Sequence, residues 1–591
     1  MTNPPLPSAT RRVKLHFDKD GSPAYESVTS PECFKQNALA VLPPRDTIPV
    51  VFVPGIMGSN LKLKKDGKKS WNPPNTTGES IKALVGGIKL RPSERQVIFD
   101  PENTVVSYDG PCAVPDSVYW LSTEEARLRG WGSLHAASYL GVLQHLEVSL
   151  NDQYTRPGRP REEGNYLLDE IGLLQYLGGG AMSERAREEH DYAALAQKAV
   201  QGWGETPEAF QPEEIVRLDD YYYPVWAYGY NWLRCNSEAA EGLIKFIDEK
   251  VLPRYEGNYF RHQGKVILVT HSMGGLVARR AAQLAPDKIL GVVQGVCPLA
   301  GAPVVYRRFR AGTEYSRFNV GEWGFAKVIG DDAAAVTPEL ACSPGALELA
   351  PSQFYPKGWL QFRQKSSPSG DGTEIASLPK EDPYEEIYKK TTDECWWGML
   401  DPDLIDPAGL IKERDADPLQ ISEKAIDKAK SFHATVGHYV HPNTYGFYGN
   451  DDKKHRAFGH VVWQTSHAET LPADLLERKD LGRTHKGKSW VSSGEDARIP
   501  AAPVVRGDIV PGPYEGTITF KVLNVKDQAG DGTVPEDSAK FLKALNPKMA
   551  LAISGYDHQA AYGDTYVYYA AIYGIARIVQ AAALPVPDLC R

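Results

Sequence analysis

A chain of 591 residues exceeds the usual domain length of roughly 100 to 200 residues, so it holds either several domains or one core with large insertions. Hydrophobic residues at 42%, aromatics at 10% and charged residues at 24% exclude a disordered, collagen-like or coiled-coil chain. With 66 Lys plus Arg against 75 Asp plus Glu, a net charge of -9, no sequence-wide basic field exists for a phosphate backbone or an anionic lipid surface, and nucleic acid is not an expected partner.

From the N-terminus, residues 1–13 carry Pro, Ser, Arg11 and Arg12 with no apolar stretch behind them, so export through a Sec signal is not expected. Residues 48–54 read Ile-Pro-Val-Val-Phe-Val-Pro: four apolar positions between two prolines suit a short, buried parallel strand. Similar runs follow at 265–270, 289–297, 517–525 and 549–554. Helical patterns lie at 237–251, 276–284, 538–545 and 562–583. Strands alternating with helices predict an α/β fold, a mostly parallel sheet covered by helices on both faces.

Two stretches, 68–220 and 304–513, break this rhythm and are read as cap insertions. They leave a core of about 230 residues in three pieces, 1–67, 221–303 and 514–591, the last carrying the acid and histidine loops. The caps hold ten of the twelve tryptophans, Trp396 and Trp397 among them. The simplest reading gives each cap a small core of its own; the alternative lines an apolar cleft. The stretch 289–305 is shorter than the ~20 residues of a bilayer-spanning helix, and Arg577 and Gln580 interrupt 562–583, which reads as a core helix. The seven cysteines are unpaired in spacing and match no metal knuckle or redox motif.

The chemistry concentrates at Val266-Ile-Leu-Val-Thr-His-Ser-Met-Gly-Gly275, a buried strand, a tight turn and a helix that begins at once. A nucleophile elbow has this form, with Gly274 and Gly275 small enough for strand and helix to approach, although Thr270 stands where a G-x-S-x-G motif has its first glycine. Ser272 is the predicted nucleophile. A serine hydroxyl needs an imidazole to take its proton and a carboxylate to orient that imidazole, in chain order Ser, acid, His. Glycines flank Asp531 in Gly530-Asp-Gly-Thr-Val-Pro535, after the run at 517–525, which makes Asp531 the expected acid. The run at 549–554 leads into a loop carrying His558, the expected base. Met273, after the nucleophile, and Ile56, in the glycine-rich loop after 48–54, are the expected oxyanion donors, with Met57 second to Ile56.

Three rival assignments fit the sequence less well. Asp371 repeats the Gly-Asp-Gly-Thr string but follows no apolar strand and reads as a surface turn. Asp557 adjoins the base too closely in sequence to contact its ring nitrogen. His433, His438, His441, His455 and His460 match no tight metal-ligand spacing and lack thiols. The sequence calls for no cofactor or metal, and a structural Ca²⁺ ion is not indicated.

Val53-Pro-Gly-Ile-Met-Gly-Ser-Asn-Leu61, Trp226-Ala-Tyr-Gly-Tyr-Asn-Trp-Leu-Arg234, His271-Ser-Met-Gly-Gly275 and Gly530-Asp-Gly-Thr-Val-Pro535 resemble the lecithin–cholesterol acyltransferase-like and GPI-inositol-deacylase-like lipases of the α/β-hydrolase superfamily. The resemblance covers the core segments and not the caps. Where that family usually reads Tyr-Asp-Trp-Arg, this chain has Asn231 and an additional Leu233, so the role of that acid is not carried over. Among bacterial members the chain looks like the antibacterial lipase effectors of type VI secretion. That resemblance implies a membrane phospholipid substrate in a neighbour's envelope, caps acting as lids, delivery from the cytoplasm to a target-cell periplasm by way of a spike protein, and an immunity protein that blocks the cleft. The rival functions are hydrolysis of a non-lipid ester, thioester or amide, and a non-catalytic binding protein on the same fold.

Overall fold

The computed structural model describes residues 11–26, 38–39, 42–73, 90–151, 203–314, 329–365, 372–465, 471–494 and 516–583, less a few positions within those ranges. Twelve strands build two six-stranded sheets: β1 (Val50–Val53), β2 (Val225–Ala227), β3 (Val266–His271), β4 (Ile289–Gly295), β5 (Leu360–Gln364), β6 (Thr373–Leu378), β7 (Thr444–Gly449), β8 (Val461–Thr465), β9 (Gly482–Arg483), β10 (Lys488–Ser492), β11 (Thr517–Val522) and β12 (Met549–Ile553).

The first sheet runs β12-β7-β4-β3-β1-β2 with every pair parallel. Its central strands are short apolar runs buried along their whole length, as a sheet covered on both faces requires. Side chains alternate between the faces. Val50, Phe52, Ile267 and Val269 pack with helices 136–151 and 565–579, while Val51, Val53, Val266 and Leu268 pack with helices 236–246 and 274–284. Each fully buried side chain of this kind contributes about 1.5–3 kcal/mol, so these runs dominate the stability of the layered α/β core. The last helix, Thr565–Val579, starts at Asp564, whose carboxylate accepts from Tyr566 N–H (2.9 Å) and Val567 N–H (3.1 Å). It lies against the sheet as a core helix, and among the described residues no helix is long and apolar enough to cross a membrane.

The second sheet is mixed, in the order β6-β5-β8-β11-β10-β9, with β5 and β8 parallel and the other pairs antiparallel. It corrects two expectations. The run at 517–525 was expected in the parallel core, yet β11 pairs with β8 and β10 in the second sheet. Conversely β7, inside the stretch 304–513 expected to be a cap, is a core strand between β4 and β12. The reason lies in composition: Thr-Ile-Thr-Phe-Lys-Val alternates polar and apolar, the pattern of a half-solvated antiparallel strand, whereas Thr-Tyr-Gly-Phe-Tyr-Gly lacks the β-branched run of a buried one.

The tryptophans divide accordingly. Trp359, Trp396, Trp397 and Trp463 form a separate core with Phe362 and Phe520, and Trp396 stacks on Phe520 with ring centroids 4.2 Å apart. Trp120, Trp131 and Trp203 of the first insertion instead join the core beneath the parallel sheet, so that insertion has no independent centre for them. The two insertions also grip each other. Arg95 pairs with Glu339, Arg414 pairs with Asp100, and Gln96 donates to Asp406 (2.5 Å) while accepting from Ala408 N–H (2.8 Å).

Arg129 fastens the first insertion to the sheet edge. Its fully buried guanidinium lies 3.0 Å from Glu125 and 3.3 Å from Glu147 and donates to the Tyr222 hydroxyl at 2.8 Å, and Glu147 accepts the β2 N–H of Val225 at 2.9 Å. Removing one member of such a group leaves an uncompensated buried charge. Arg129→Ala is expected to lower unfolding free energy by about 3–5 kcal/mol, read as a lower midpoint in chemical denaturation. A loss below about 1 kcal/mol would show that the network contributes little to stability.

Candidate functional site

Strand β3 ends at His271, and the chain turns at Ser272 into the helix Gly274–Leu284. Ser272 has φ 54°, a left-handed conformation rare for a residue with a β-carbon. Its N–H donates to Gly295 at the end of β4 (3.0 Å), and its carbonyl accepts from Gly275 N–H (2.9 Å). The turn is possible because the helix enters almost against β1. A β-carbon at Gly274 would stand 2.2 Å from the Val53 carbonyl oxygen and 2.6 Å from that of Pro54. A nucleophile elbow makes the same demands on its backbone.

The three side chains singled out in the sequence meet here. His558 Nε2 lies 2.9 Å from Ser272 Oγ, and His558 Nδ1 lies 2.7 Å from Asp531 Oδ2. The other Asp531 oxygen accepts the N–H groups of Val534 (2.7 Å) and Thr533 (3.1 Å). All three residues are buried. Burial opposes charge on His558, but the adjacent Asp531 carboxylate outweighs it and holds the imidazole above its ordinary value of 6.5. Burial likewise raises Asp531, but His558 and the two backbone donors hold its carboxyl below the usual range.

Asp531 reaches this position by a route the sequence did not reveal. Beyond β8 and β11 the two segments stay paired as a ribbon, with Ala457 and Gln528 exchanging hydrogen bonds (2.8 and 3.1 Å) and Asp451 and Gly530 doing the same (2.8 and 3.1 Å). The ribbon ends beside the last residue of β7: a β-carbon on Gly449 would lie 2.6 Å from that of Asp531. The acid therefore stands at the C-terminal edge of the parallel sheet although its preceding strand belongs to the other sheet.

The loop after β1 lies over the nucleophile. A β-carbon at Gly55 would be 2.8 Å from Ser272 Cβ and 3.3 Å from its Oγ. The Ile56 and Met273 N–H groups donate to no described residue. Met57 has φ 61° and its carbonyl accepts the Trp71 indole N–H (2.7 Å).

Two residues without an assigned role complete the surroundings. His271 Nε2 donates to the His558 carbonyl (2.9 Å), and its Nδ1 faces the Tyr139 hydroxyl (2.9 Å), which itself accepts Gly55 N–H (3.2 Å). Burial, with a smaller contribution from His558, pushes His271 down to about 3, so it is neutral. His271 stands inside the elbow motif, but Tyr139 lies in the first insertion on helix Ala136–Asn151 with no motif to mark it.

The rivals are elsewhere occupied. Asp557 accepts Gln559 N–H (3.0 Å) in a surface turn, and Asp371 lies outside the described residues. His433 donates to the Glu348 carbonyl (2.7 Å), and His460 pairs with Asp527 (2.6 Å). Among the described residues no group of three or more His, Cys, Asp or Glu side chains is arranged to hold a metal ion. Asn231 donates to Thr104 Oγ1 (3.0 Å) and to the Thr104 carbonyl (3.2 Å).

No family model matches the chain, and no curated protein matches it. Among solved structures it is similar to a chain of the Tle4–Tli4 complex, at 29% identity and a TM-score of 0.67, over 90% of this chain and 99% of that one. The likeness is one of the α/β-hydrolase fold, a mostly parallel sheet flanked by helices.

The packing at the elbow makes a direct prediction. Gly274→Ala must push β1 and the helix apart, which is expected to cost about 1–3 kcal/mol and lower the thermal midpoint, whereas Ala at Gly563, where an added β-carbon meets nothing within 4 Å, should leave it unchanged.

Proposed function

We propose that the chain is a serine hydrolase of carboxylic esters, a lipase that cleaves membrane phospholipids as an antibacterial effector of type VI secretion. The observation that carries the reading is the hydrogen-bonded series Ser272, His558, Asp531 at the elbow, with 2.9 and 2.7 Å links. In the proposed reaction Ser272 Oγ attacks the ester carbonyl while its proton passes to His558 Nε2. Asp531 keeps the remaining proton on Nδ1 and stabilises the imidazolium. The carbonyl oxygen gains negative charge and is held by the N–H groups of Met273 and Ile56, both without a partner among the described residues. The C–O bond to the alcohol breaks as His558 returns the proton to the leaving oxygen. Water, deprotonated by His558, then attacks the acyl-serine, and the fatty acid is released as His558 returns that proton to Ser272 Oγ.

The motifs shared with the α/β-hydrolase lipases support ester chemistry, and the bacterial effector resemblance supports the phospholipid substrate and the route to a target-cell periplasm. The fold likeness to a protein solved in complex with Tli4 supports a protein partner, which we take to be an immunity protein blocking the cleft. The spike protein that would carry the chain remains part of the same proposal.

Ser272→Ala is expected to fold with an unchanged thermal midpoint and to lose hydrolysis by several powers of ten, on the order of 10³-fold or more. Fatty-acid release from phospholipid vesicles, compared with cleavage of soluble short-chain esters, tests the substrate. Faster turnover of the soluble esters refutes the lipase assignment, and wild-type turnover in Ser272→Ala refutes the nucleophile.

The raised His558 fixes the sign of the pH dependence. A protonated imidazole cannot accept the serine proton, so kcat/KM is expected to fall as pH drops through a midpoint above 6.5. Asp531→Asn removes the charge that raises His558. It should move that midpoint to lower pH while reducing kcat by on the order of 10⁴.

A further inference from the structure

We infer that Tyr139 and His271 are positioning residues, a relay of three hydrogen bonds that fixes the His558 backbone and the Gly55 turn relative to Ser272. The inference rests on the proposed catalytic role of Ser272 and His558 and extends it to a helix of the first insertion.

The relay runs in one direction only. The His558 carbonyl can do nothing but accept, so His271 Nε2, 2.9 Å away, carries the proton. Buried and neutral, His271 has no second proton, and Nδ1 is an acceptor. The Tyr139 hydroxyl, 2.9 Å from Nδ1, therefore donates to it, and the phenol oxygen accepts Gly55 N–H at 3.2 Å. If the Tyr139 hydroxyl turned to its other neighbour, Gln559, Nδ1 would lose its donor, and Tyr139 and His271 are both at most 2% exposed.

What the relay holds is the reacting geometry. The His558 peptide is gripped on both sides: its N–H donates to the Asp531 carbonyl (2.8 Å) and its carbonyl accepts from His271. The imidazole that projects from it thus keeps its place between Ser272 and Asp531. At the other end, Gly55 immediately precedes Ile56, the proposed oxyanion donor, so anchoring its N–H orients that loop over Ser272. Phe52 and Tyr562 pack against the Tyr139 side, with ring centroids 5.5 Å from Phe52 to each tyrosine, and Tyr562 donates to the Thr270 carbonyl (2.7 Å). Each loop held by the relay contributes to the transition state, whereas neither residue lies at the reacting atoms. Loss of the relay is therefore expected in kcat and not in KM.

The test compares Tyr139→Phe, His271→Ala and the double variant with wild type, using fluorophosphonate labelling, ester kinetics and thermal unfolding. Tyr139→Phe keeps the ring and its packing and is expected to lose about 10–100-fold in kcat and in labelling rate with KM within about two-fold. The double variant should lose no more than His271→Ala alone, because one relay is broken in each. The downfield proton resonance of the His558–Asp531 hydrogen bond should shift in Tyr139→Phe, a signature that a purely structural role would not move. Wild-type kcat and an unshifted resonance in Tyr139→Phe overturn the relay, as does a loss explained entirely by a lower folded fraction. Should that variant not fold, ¹⁵N-histidine spectra of the wild type decide. A neutral Nε2–H His271 from about pH 5 to about pH 8 supports the relay, and an Nδ1–H tautomer or a protonated ring overturns it. A wild type that takes no fluorophosphonate overturns the serine-hydrolase reading instead, since the histidine spectra do not depend on turnover.

Discussion

Ser272 occupies a backbone conformation that costs on the order of 1–3 kcal/mol, and it stays there because surrounding structure leaves it no alternative. The register of β3 against β1 and β4 sets where the strand stops, with Thr270 opposite Val53 and His271 opposite Gly295. Gly295 accepts the Ser272 N–H, and the helix that follows can only begin in contact with the end of β1. Three central strands and one glycine thereby hold a single hydroxyl at the C-terminal edge of the sheet. The surrounding loops are referenced to that point: the Gly55 turn above it, the His558 loop beside it and the Asp531 ribbon behind.

Electrostatics follow from the same geometry. A histidine and a carboxylate buried together each resist charging, but at 2.7 Å the pair favours charge on both. His271, only one position from the serine and also buried, makes no hydrogen bond to Asp531, whose charge is outweighed by burial and by His558, and it falls to about 3. Two neighbouring imidazoles thus divide the work: one can carry a proton during a reaction, and the other remains a fixed donor and acceptor.

How much of this was legible in the sequence depends on how local each signal is. β1, β3 and β4 announce themselves as apolar runs because they are buried along their whole length, β12 does so although it is only partly buried, and the elbow is written in six consecutive residues. β2, three residues long, gives too little pattern to read, and β7 consists mostly of aromatic residues and glycine where a buried strand usually has Val or Ile. At its Gly446 a β-carbon would stand 2.4 Å from the Leu542 side chain and 3.0 Å from the Gln294 carbonyl oxygen, contacts no local pattern discloses. Ser272, Asp531 and His558 could be found since each sits in a glycine-flanked or strand-terminal loop of recognisable form. The strand that carries Asp531 was misplaced, because the ribbon connecting it to β7 is a long-range pairing. Tyr139 left no trace, being one aromatic residue on an otherwise unremarkable helix.

The ribbon has a bearing on how such a protein can be rebuilt. The second sheet looks like an accessory that could be cut away or swapped, but the polypeptide passes from one sheet to the other at Gly449 and returns through Gly530. Excision of 304–513 would remove β7, leaving β12 without the strand it pairs with and Asp531 without the strand end on which it leans. Any exchange of parts with a related scaffold must therefore be made at the tip of the excursion, outside β7, the paired segments and the acid, which move together as one block.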